Sequence, residues 1–163
     1  GQGTLGMEIS EDLKGVDAIF ISVGGGGLIS GVGGYLKSVN QSIQVHGVSP
    51  KNSCVMYESL SAGKQLDLPS KPTLSDGTAG GVEFGSITFE MCKKVVDHFT
   101  LVSEDEIAKG IYIGLEKNHQ LIEGAAGAAI AGFISQKDKF KGQTVVLVMC
   151  GGNISSSVLK SIL

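Results

Sequence analysis

The chain contains no arginine, so lysine supplies all thirteen of its basic residues. These lysines are scattered along the sequence, and the formal net charge is −3 at pH 7. No basic stripe for a nucleic-acid backbone is therefore indicated. Because no guanidinium is present, any phosphate that binds here must be held by backbone N–H groups, by hydroxyls or by a lysine.

Cysteine is scarce, and long apolar runs are missing. The three cysteines, Cys54, Cys92 and Cys150, are widely spaced and form no Cys-x-x-Cys pair, which argues against a disulfide framework and a zinc site. The apolar runs, such as residues 145–150, are too short to cross a bilayer. No basic and then apolar leader opens the sequence. We therefore expect a globular, cytoplasmic protein without a membrane or nucleic-acid partner.

Short apolar runs alternate with segments of helical periodicity. Strands are predicted at residues 16–23, 43–48, 99–102 and 144–149. Helices are predicted at residues 28–39, 52–62, 86–98, 103–118, 123–134 and 155–163, and a long loop at residues 66–85. The alternation predicts a single α/β domain, residues 1–163, with an open, mostly parallel twisted sheet and helices on both faces.

Three local signals predict where helices begin and end. Asn52 is predicted to be an N-cap, and Gly63 to end the same helix. Ser103 and Glu106 have the spacing of a capping box, in which each residue satisfies the backbone N–H of the other.

Four consecutive glycines follow the first predicted strand and precede a helix. In open α/β sheets ligands bind beyond the carboxyl ends of the strands, and this loop lies at such an end. Residues without a Cβ let several N–H groups converge on one anion at the helix N-terminus. The candidate phosphate ligands are the backbone amides of Gly24, Gly25, Gly26, Gly27 and Leu28.

Three kinds of phosphate-binding loop are candidates for these four glycines. A Walker loop is excluded because Gly31 is followed by Val32 rather than by lysine. A dinucleotide fingerprint fits poorly, since the second predicted strand ends near Val48 and Ser49 without an acidic residue. A phosphate monoester, such as that of pyridoxal phosphate, fits best. A glycine-rich tight turn without a ligand remains the alternative.

Several motifs together resemble the fold-type II pyridoxal-phosphate enzymes, and the serine/threonine dehydratase and serine racemase group in particular. The motifs are residues 1–8 (Gly-Gln-Gly-Thr-Leu-Gly-Met-Glu), 22–28 (Ser-Val-Gly-Gly-Gly-Gly-Leu), 76–82 (Asp-Gly-Thr-Ala-Gly-Gly-Val), 86–89 (Ser-Ile-Thr-Phe), 123–129 (Glu-Gly-Ala-Ala-Gly-Ala-Ala) and 150–153 (Cys-Gly-Gly-Asn). They follow the family's order and span nearly the whole chain. The resemblance implies pyridoxal 5'-phosphate as the cofactor and the large, phosphate-binding domain as the fold.

The resemblance also implies roles for three further residues. Cys150 corresponds to the neutral Ser or Cys that faces the pyridine nitrogen, where a neutral partner weakens the electron sink and suits β-elimination. The alternative for Cys150 is a buried thiol at a strand end. Glu123 corresponds to a helix N-terminal charge near the cofactor, or else only stabilises the helix dipole. Ser22 either orients the loop or bonds to local backbone.

The sequence departs from the family at two places. The family's catalytic lysine lies in an N-terminal segment, and none of the thirteen lysines here occupies a matching motif. The chain is therefore expected to be the C-terminal half, inactive on its own, with no catalytic residue to name. Some relatives bind a divalent cation through carboxylates at the positions of Ser49 and Val55, which cannot ligate in that way, so no metal is expected there.

The resemblance implies an ammonia-lyase that converts L-threonine or L-serine into a 2-oxo acid and ammonia. Serine racemisation and 3-hydroxyaspartate dehydration are close alternatives, and a non-catalytic fragment that binds pyridoxal phosphate or another phosphate is a further one. The expected partners are a small amino-acid substrate and either a complementary N-terminal half or a second copy of the chain. His46, His98 and His119 match no family motif and are expected at the surface or in packing.

Overall fold

A computed structural model describes residues 1–163 as a four-stranded sheet with seven α-helices. The strands are β1 Ala18–Ser22, β2 Gln44–Pro50, β3 His98–Val102 and β4 Val145–Leu147. The helices are α1 Gly3–Asp12, α2 Gly27–Val39, α3 Val55–Ala62, α4 Ile87–Val95, α5 Glu104–Asn118, α6 Gly124–Ile134 and α7 Ser156–Ile162. Single 3₁₀ turns lie at Asp76–Thr78 and Lys137–Phe140.

The sheet has the strand order β3-β2-β1-β4, and every neighbouring pair is parallel. The predicted α/β class with an open parallel sheet is therefore confirmed. Because the strands are parallel, their carboxyl ends share one edge of the sheet. The loops that follow β1 and β4 leave the sheet side by side at this edge, although their residues lie far apart in the sequence.

Strand β1 carries side chains into two separate cores, one on each face of the sheet. Ile19 and Ile21 belong to a core that also contains side chains of α2, α3 and α4. Ala18 and Phe20 belong to the other core, together with side chains of α5 and α6. All five residues of β1 are buried, as expected for a strand covered by helices on both faces.

The sequence signals for helix ends are confirmed at two helices. Ser103 and Glu106 form both hydrogen bonds of the capping box, with the Ser103 N–H donating to Glu106 Oε2 at 2.7 Å. Gly63 ends α3 in the left-handed conformation, with φ of 69°. The long predicted loop before α4 is interrupted only by the 3₁₀ turn at Asp76–Thr78.

Three parts of the sequence-based assignment are wrong. The helix predicted at residues 86–98 ends at Val95, and the chain enters β3 at residue 98. The helix predicted from residue 52 begins at Val55, with Cys54 as its N-cap, because the Asn52 amide donates instead to the Pro72 carbonyl oxygen at 2.8 Å. Helix α1 was not predicted at all. Its N-cap, Gln2, makes no capping side-chain bond, so the sequence lacks the usual start signal.

The histidines are confirmed as packing and surface residues. His46 is buried in β2 and stacks on Phe20 with ring centroids 4.4 Å apart. Burial and the neighbouring His98 lower the pKa of His46 from 6.5 to about 4, so the imidazole is neutral near pH 7. His119 is exposed and ends α5 with a positive φ of 54°. None of the seven helices combines the length and apolar character needed to cross a membrane.

Candidate functional site

Two hydrogen bonds from β2 fix the point at which the chain leaves β1. The Val23 N–H donates to the Val48 carbonyl oxygen at 2.7 Å. The buried Ser49 hydroxyl donates to the Val23 carbonyl oxygen at 2.6 Å. Both the N–H and the carbonyl oxygen of Val23 are therefore hydrogen-bonded to β2, and the glycine loop starts from a rigid position.

Gly26 allows the loop to turn into α2. It is the N-cap of that helix in the left-handed conformation, with φ of 82°, which L side chains rarely adopt. A Cβ at this position would lie 2.7 Å from Cys92 Sγ and 2.8 Å from Met56 Cε. Burial raises the pKa of Cys92, so this thiol supports the loop as a neutral packing group.

The backbone amides of residues 24–29 donate to no protein acceptor. The first bond into α2 comes from the Ser30 N–H, which donates to the Gly26 carbonyl oxygen at 3.0 Å. Three of the free amides belong to the loop, and the other three belong to the first turn of α2. Converging unpaired N–H groups at a helix N-terminus form a site for an anion.

Residues 24–28 line a cavity of about 220 Å³ at the carboxyl edge of the sheet. A Cβ on Gly25 or Gly27 would meet no protein atom within 4 Å, so these two positions leave open space. Gly24 differs, because a Cβ there would lie 2.8 Å from the Thr78 carbonyl oxygen. The cavity is lined by Ser22, Gly24, Gly25, Gly26, Gly27, Leu28, Gly77, Thr78, Glu123, Ala125 and Cys150.

Cys150 and Ser22 meet at the wall of this cavity. Their side chains form a hydrogen bond with Sγ and Oγ 3.2 Å apart, across 128 positions of sequence. The contact exists because β4 pairs with β1, so the end of β1 lies beside the residues that follow β4. Ser22 is buried, and its hydroxyl bonds to the thiol rather than to local backbone.

Glu123 contributes the only charged side chain of the cavity wall. Its Oε2 accepts the Asn153 N–H at 2.8 Å, and its own N–H donates to the Gly151 carbonyl oxygen at 3.1 Å. A Cβ on Gly77 would lie 3.0 Å from Oε1. Glu123 thus joins three segments around the cavity: the 3₁₀ turn at Asp76–Thr78, the start of α6 and residues 150–153.

No lysine lines the cavity, and the chain therefore offers no amine at this place. Ser49 and Val55, the two positions compared above with a cation site, have other structural roles. Ser49 is fully buried and bonds to Val23, while Val55 is the first, buried residue of α3. No group of three or more His, Cys, Asp or Glu side chains is arranged to hold a metal ion.

The structure brings all six predicted binding residues to one cavity. They are Gly24, Gly25, Gly26, Gly27, Leu28 and Cys150. Sequence reasoning left Gly77, Thr78 and Ala125 out of the predicted set. The motif at residues 76–82, which contributes to the family resemblance, was the signal that could have found the first two.

A family model described as "Pyridoxal-phosphate dependent enzyme" matches residues 1–151. The chain belongs to this family. An L-threonine ammonia-lyase of Thermotoga maritima is 42% identical over the whole chain, which spans 40% of that relative. A catabolic L-threonine dehydratase of Escherichia coli is 38% identical over 99% of the chain, which spans 50% of that relative.

Solved structures share the fold as well as the sequence. The processed threonine deaminase isoform 2 of Solanum lycopersicum superposes with a TM-score of 0.92 and 34% identity, covering 99% of this chain and 48% of its own. A serine racemase of Dictyostelium discoideum superposes with a TM-score of 0.84 and 35% identity, covering 95% of this chain and 50% of its own. The chain spans half or less of these relatives' lengths.

The cavity fits the cofactor of this family, pyridoxal 5'-phosphate. Free amides at residues 24–29 suit a phosphate ester in a chain without arginine. Gly25 and Gly27 leave the space into which such a group could approach the backbone. The hydrogen-bonded pair Ser22 and Cys150 lies at the same cavity and suits the ring nitrogen of a pyridine.

Proposed function

We propose that the chain is the cofactor-phosphate-binding part of a pyridoxal-phosphate-dependent ammonia-lyase acting on L-threonine or L-serine. The reaction releases a 2-oxo acid and ammonia. The observation that carries the proposal is the run of unpaired amides at residues 24–28, which line a cavity that Cys150 also lines. The threonine-specific lyases and dehydratases among the relatives support the substrate class.

In this proposal the amides of the glycine loop and of Leu28 bind the phosphate, and Cys150 faces the ring nitrogen. The helix dipole of α2 stabilises the negative charge of the phosphate. The thiol of Cys150 and the hydroxyl of Ser22 can each donate or accept a hydrogen bond. Bound pyridoxal phosphate supplies an electron sink for negative charge that develops at the α-carbon of the amino acid.

We propose that residues 1–163 form one domain and that a complementary N-terminal half supplies the covalent lysine. The absence of lysine from the cavity wall supports this division, as does the greater length of the relatives. Because that half would also carry the missing walls of the site, the chain alone would bind cofactor without turning over substrate. The three free cysteines suit a reducing compartment such as the cytoplasm.

Serine racemisation is the second candidate, since serine racemases share the fold at high similarity. Ser49 and Val55 favour the lyase over the racemase, because neither provides the carboxylate that some family members use for a divalent cation. A measurement of D-serine beside 2-oxo acid, on the completed enzyme, separates the two candidates.

Cofactor binding by the chain alone is the first test. Pyridoxal phosphate is titrated into the chain and followed by its absorbance, with inorganic phosphate as the competitor. We expect saturable binding that phosphate displaces, whereas pyridoxal without its phosphate binds weakly. Failure of phosphate to compete would contradict the assignment of residues 24–28.

Borohydride reduction tests whether the covalent lysine lies outside this chain. After reduction, peptide mapping should show no lysine that is labelled stoichiometrically and protected by phosphate. One such lysine would show that the chain has its own covalent attachment point, and the proposed role of an N-terminal half would be wrong. Addition of a lysine-bearing N-terminal half should then restore 2-oxo acid production from L-threonine.

A further inference from the structure

Glu123 occupies the N-cap position of α6, but its carboxylate does not cap that helix. Polar N-cap side chains usually accept an N–H from the first turn of their own helix. Here Oε2 accepts the N–H of Asn153 at 2.8 Å, thirty positions further along the chain. The carboxylate is therefore committed to a distant segment.

That segment, residues 150–153, is the one that carries Cys150. The Gly151 carbonyl oxygen accepts the Glu123 N–H at 3.1 Å, so one residue holds the segment through both its backbone and its side chain. On the other side, the Val148 N–H donates to the Phe20 carbonyl oxygen at 3.0 Å. Cys150 lies between these attachments, and its position depends on both.

Glycines let this segment approach Glu123 closely. A Cβ on Gly151 would lie 2.5 Å from the carboxylate of Glu123, and Gly151 has a φ of 114°. A Cβ on Gly152 would lie 2.8 Å from the Leu121 carbonyl oxygen. The backbone of residues 151–152 is thus packed directly against the residues that precede α6.

The Glu123 carboxylate forms no salt bridge with a lysine. It accepts the Asn153 N–H and lies at the N-terminus of α6. A hydrogen bond from N–H to a carboxylate is stronger than one between neutral groups. The bond to Asn153 is therefore a strong attachment at the end of the segment that lies beyond Cys150.

We propose that Glu123 is a positioning residue that fixes residues 150–153 and so holds the Cys150 thiol against Ser22 at the cavity wall. The proposal deepens the proposed function, on which it rests for the cofactor that Cys150 faces. Without the carboxylate, the segment keeps only its backbone bond to residue 123. The thiol then leaves Ser22 and becomes more accessible to solvent.

The test measures alkylation of Cys150 by iodoacetamide in the cofactor-free chain, so that it does not depend on the proposed cofactor site. Cys54 is replaced by serine in every variant, and the rate at each remaining cysteine is read by peptide mass spectrometry. Buried Cys92 is the internal reporter of global opening. The variants are Glu123→Ala, Glu123→Gln, which keeps an acceptor oxygen, and Asn153→Pro, which removes the N–H.

We expect Glu123→Ala and Asn153→Pro each to raise the Cys150 rate about tenfold, while Cys92 stays slow. Glu123→Gln should stay within about twofold of the parent, and Glu123→Ala combined with Asn153→Pro should add nothing further, because both remove one bond. In the same variants, the absorbance maximum of bound pyridoxal phosphate should move with the Cys150 rate.

Three results would overturn the proposal. One is an unchanged Cys150 rate in Glu123→Ala, and another is a rate in Glu123→Gln as high as in Glu123→Ala. The third is an equal rise at Cys92 and Cys150 in both Glu123→Ala and Asn153→Pro, which would mean that the residues support the whole fold. A failure of pyridoxal phosphate to bind the parent chain would instead count against the proposed function and leave these rates interpretable.

Discussion

In the loop of residues 24–27, a Cβ on Gly25 or Gly27 would meet no protein atom within 4 Å, whereas between α5 and α6 a Cβ on Gly110 would collide with the Gly127 carbonyl oxygen. Glycine leaves space for a ligand in the first region and lets two helix backbones touch in the second. The glycine loop and α6 look alike in the sequence, since both are rich in small residues. Only the geometry separates a binding loop from a packing interface.

The hydrogen bonds of the two regions differ in the same way. The amides of residues 24–29 have no protein acceptor, while α5 and α6 lie against each other in an apolar core that includes Ile107, Ile111 and Ala126. An unpaired N–H group next to a cavity can be satisfied by a ligand or by water. A closely packed helix pair has no such freedom, so we expect its glycines to matter for stability, whereas the proposed function assigns the loop's glycines to binding.

The largest expected effect is on stability at the packed interface. Gly110→Ala forces a methyl group against the backbone of α6, so we expect a loss of more than about 3 kcal/mol in the free energy of unfolding. Chemical denaturation measures it. The matched control is Gly34→Ala in α2, whose Cβ would make an ordinary contact of 3.5 Å with Met91. Equal stability of the two variants would contradict the distinction between the regions.

Acid should destabilise the fold through His46, which packs on the same face of the sheet as α5 and α6. The pKa of His46 is about 4 in the folded chain against 6.5 for the free side chain, because of burial and of His98. Because the folded chain binds this proton less readily than the unfolded chain, the fold keeps its full stability above pH 6.5 and loses stability as the pH falls towards 4. The loss should reach about 3 kcal/mol at pH 4.

The variant His46→Phe removes this titration while keeping a ring beside Phe20. Between pH 4 and 6.5, the slope of its unfolding free energy against pH should be smaller than that of the parent by about 1.4 kcal/mol per pH unit. The measurement is a series of denaturation curves across that range. If the slopes of parent and variant coincide, the low pKa of His46 is not a source of acid sensitivity.

Binding rather than stability should change at the glycine loop. Gly27→Ala puts a methyl group into the space next to the free amides, so we expect the affinity for pyridoxal phosphate to fall by about 1.5–3 kcal/mol, or roughly ten- to a hundredfold. The denaturation midpoint should stay near that of Gly34→Ala. A loss of stability without a loss of affinity would make the loop a structural turn.

The smallest effect is expected at the strand end that supports the loop. Ser49→Ala removes the buried hydroxyl that donates to the Val23 carbonyl oxygen. The unfolding free energy should fall by about 1 kcal/mol, the usual contribution of such a bond. Affinity for pyridoxal phosphate should fall by less than in Gly27→Ala, and the reverse order would place the phosphate elsewhere.

Local signals predicted the parts of the fold that local chemistry decides. The capping box of Ser103 and Glu106, the stop at Gly63 and the glycine loop after β1 all depend on neighbouring residues in the sequence. Helix α1 was missed because tertiary contacts stabilise it. A Cβ on Gly6 would lie 2.9 Å from the Val32 carbonyl oxygen of α2, and this close packing replaces a capping signal.

The site was predictable only in part for the same physical reason. The proposed phosphate loop is a local motif, so its five residues could be named from the sequence. The contact between Ser22 and Cys150 and the bond from Asn153 to Glu123 join distant segments. They arise from the pairing of β4 with β1 and from the approach of residues 150–153 to α6, which a single sequence does not specify.

The most direct test of the central claim is an amide NMR spectrum of the chain during titration with pyridoxal phosphate and then with inorganic phosphate. If the free amides hold the phosphate, both ligands should shift the resonances of residues 24–29, and pyridoxal phosphate alone should also shift Cys150. Gly110 and Gly127, between the packed helices, should not move. Shifts that avoid residues 24–29 would contradict the claim that these amides are the anion site.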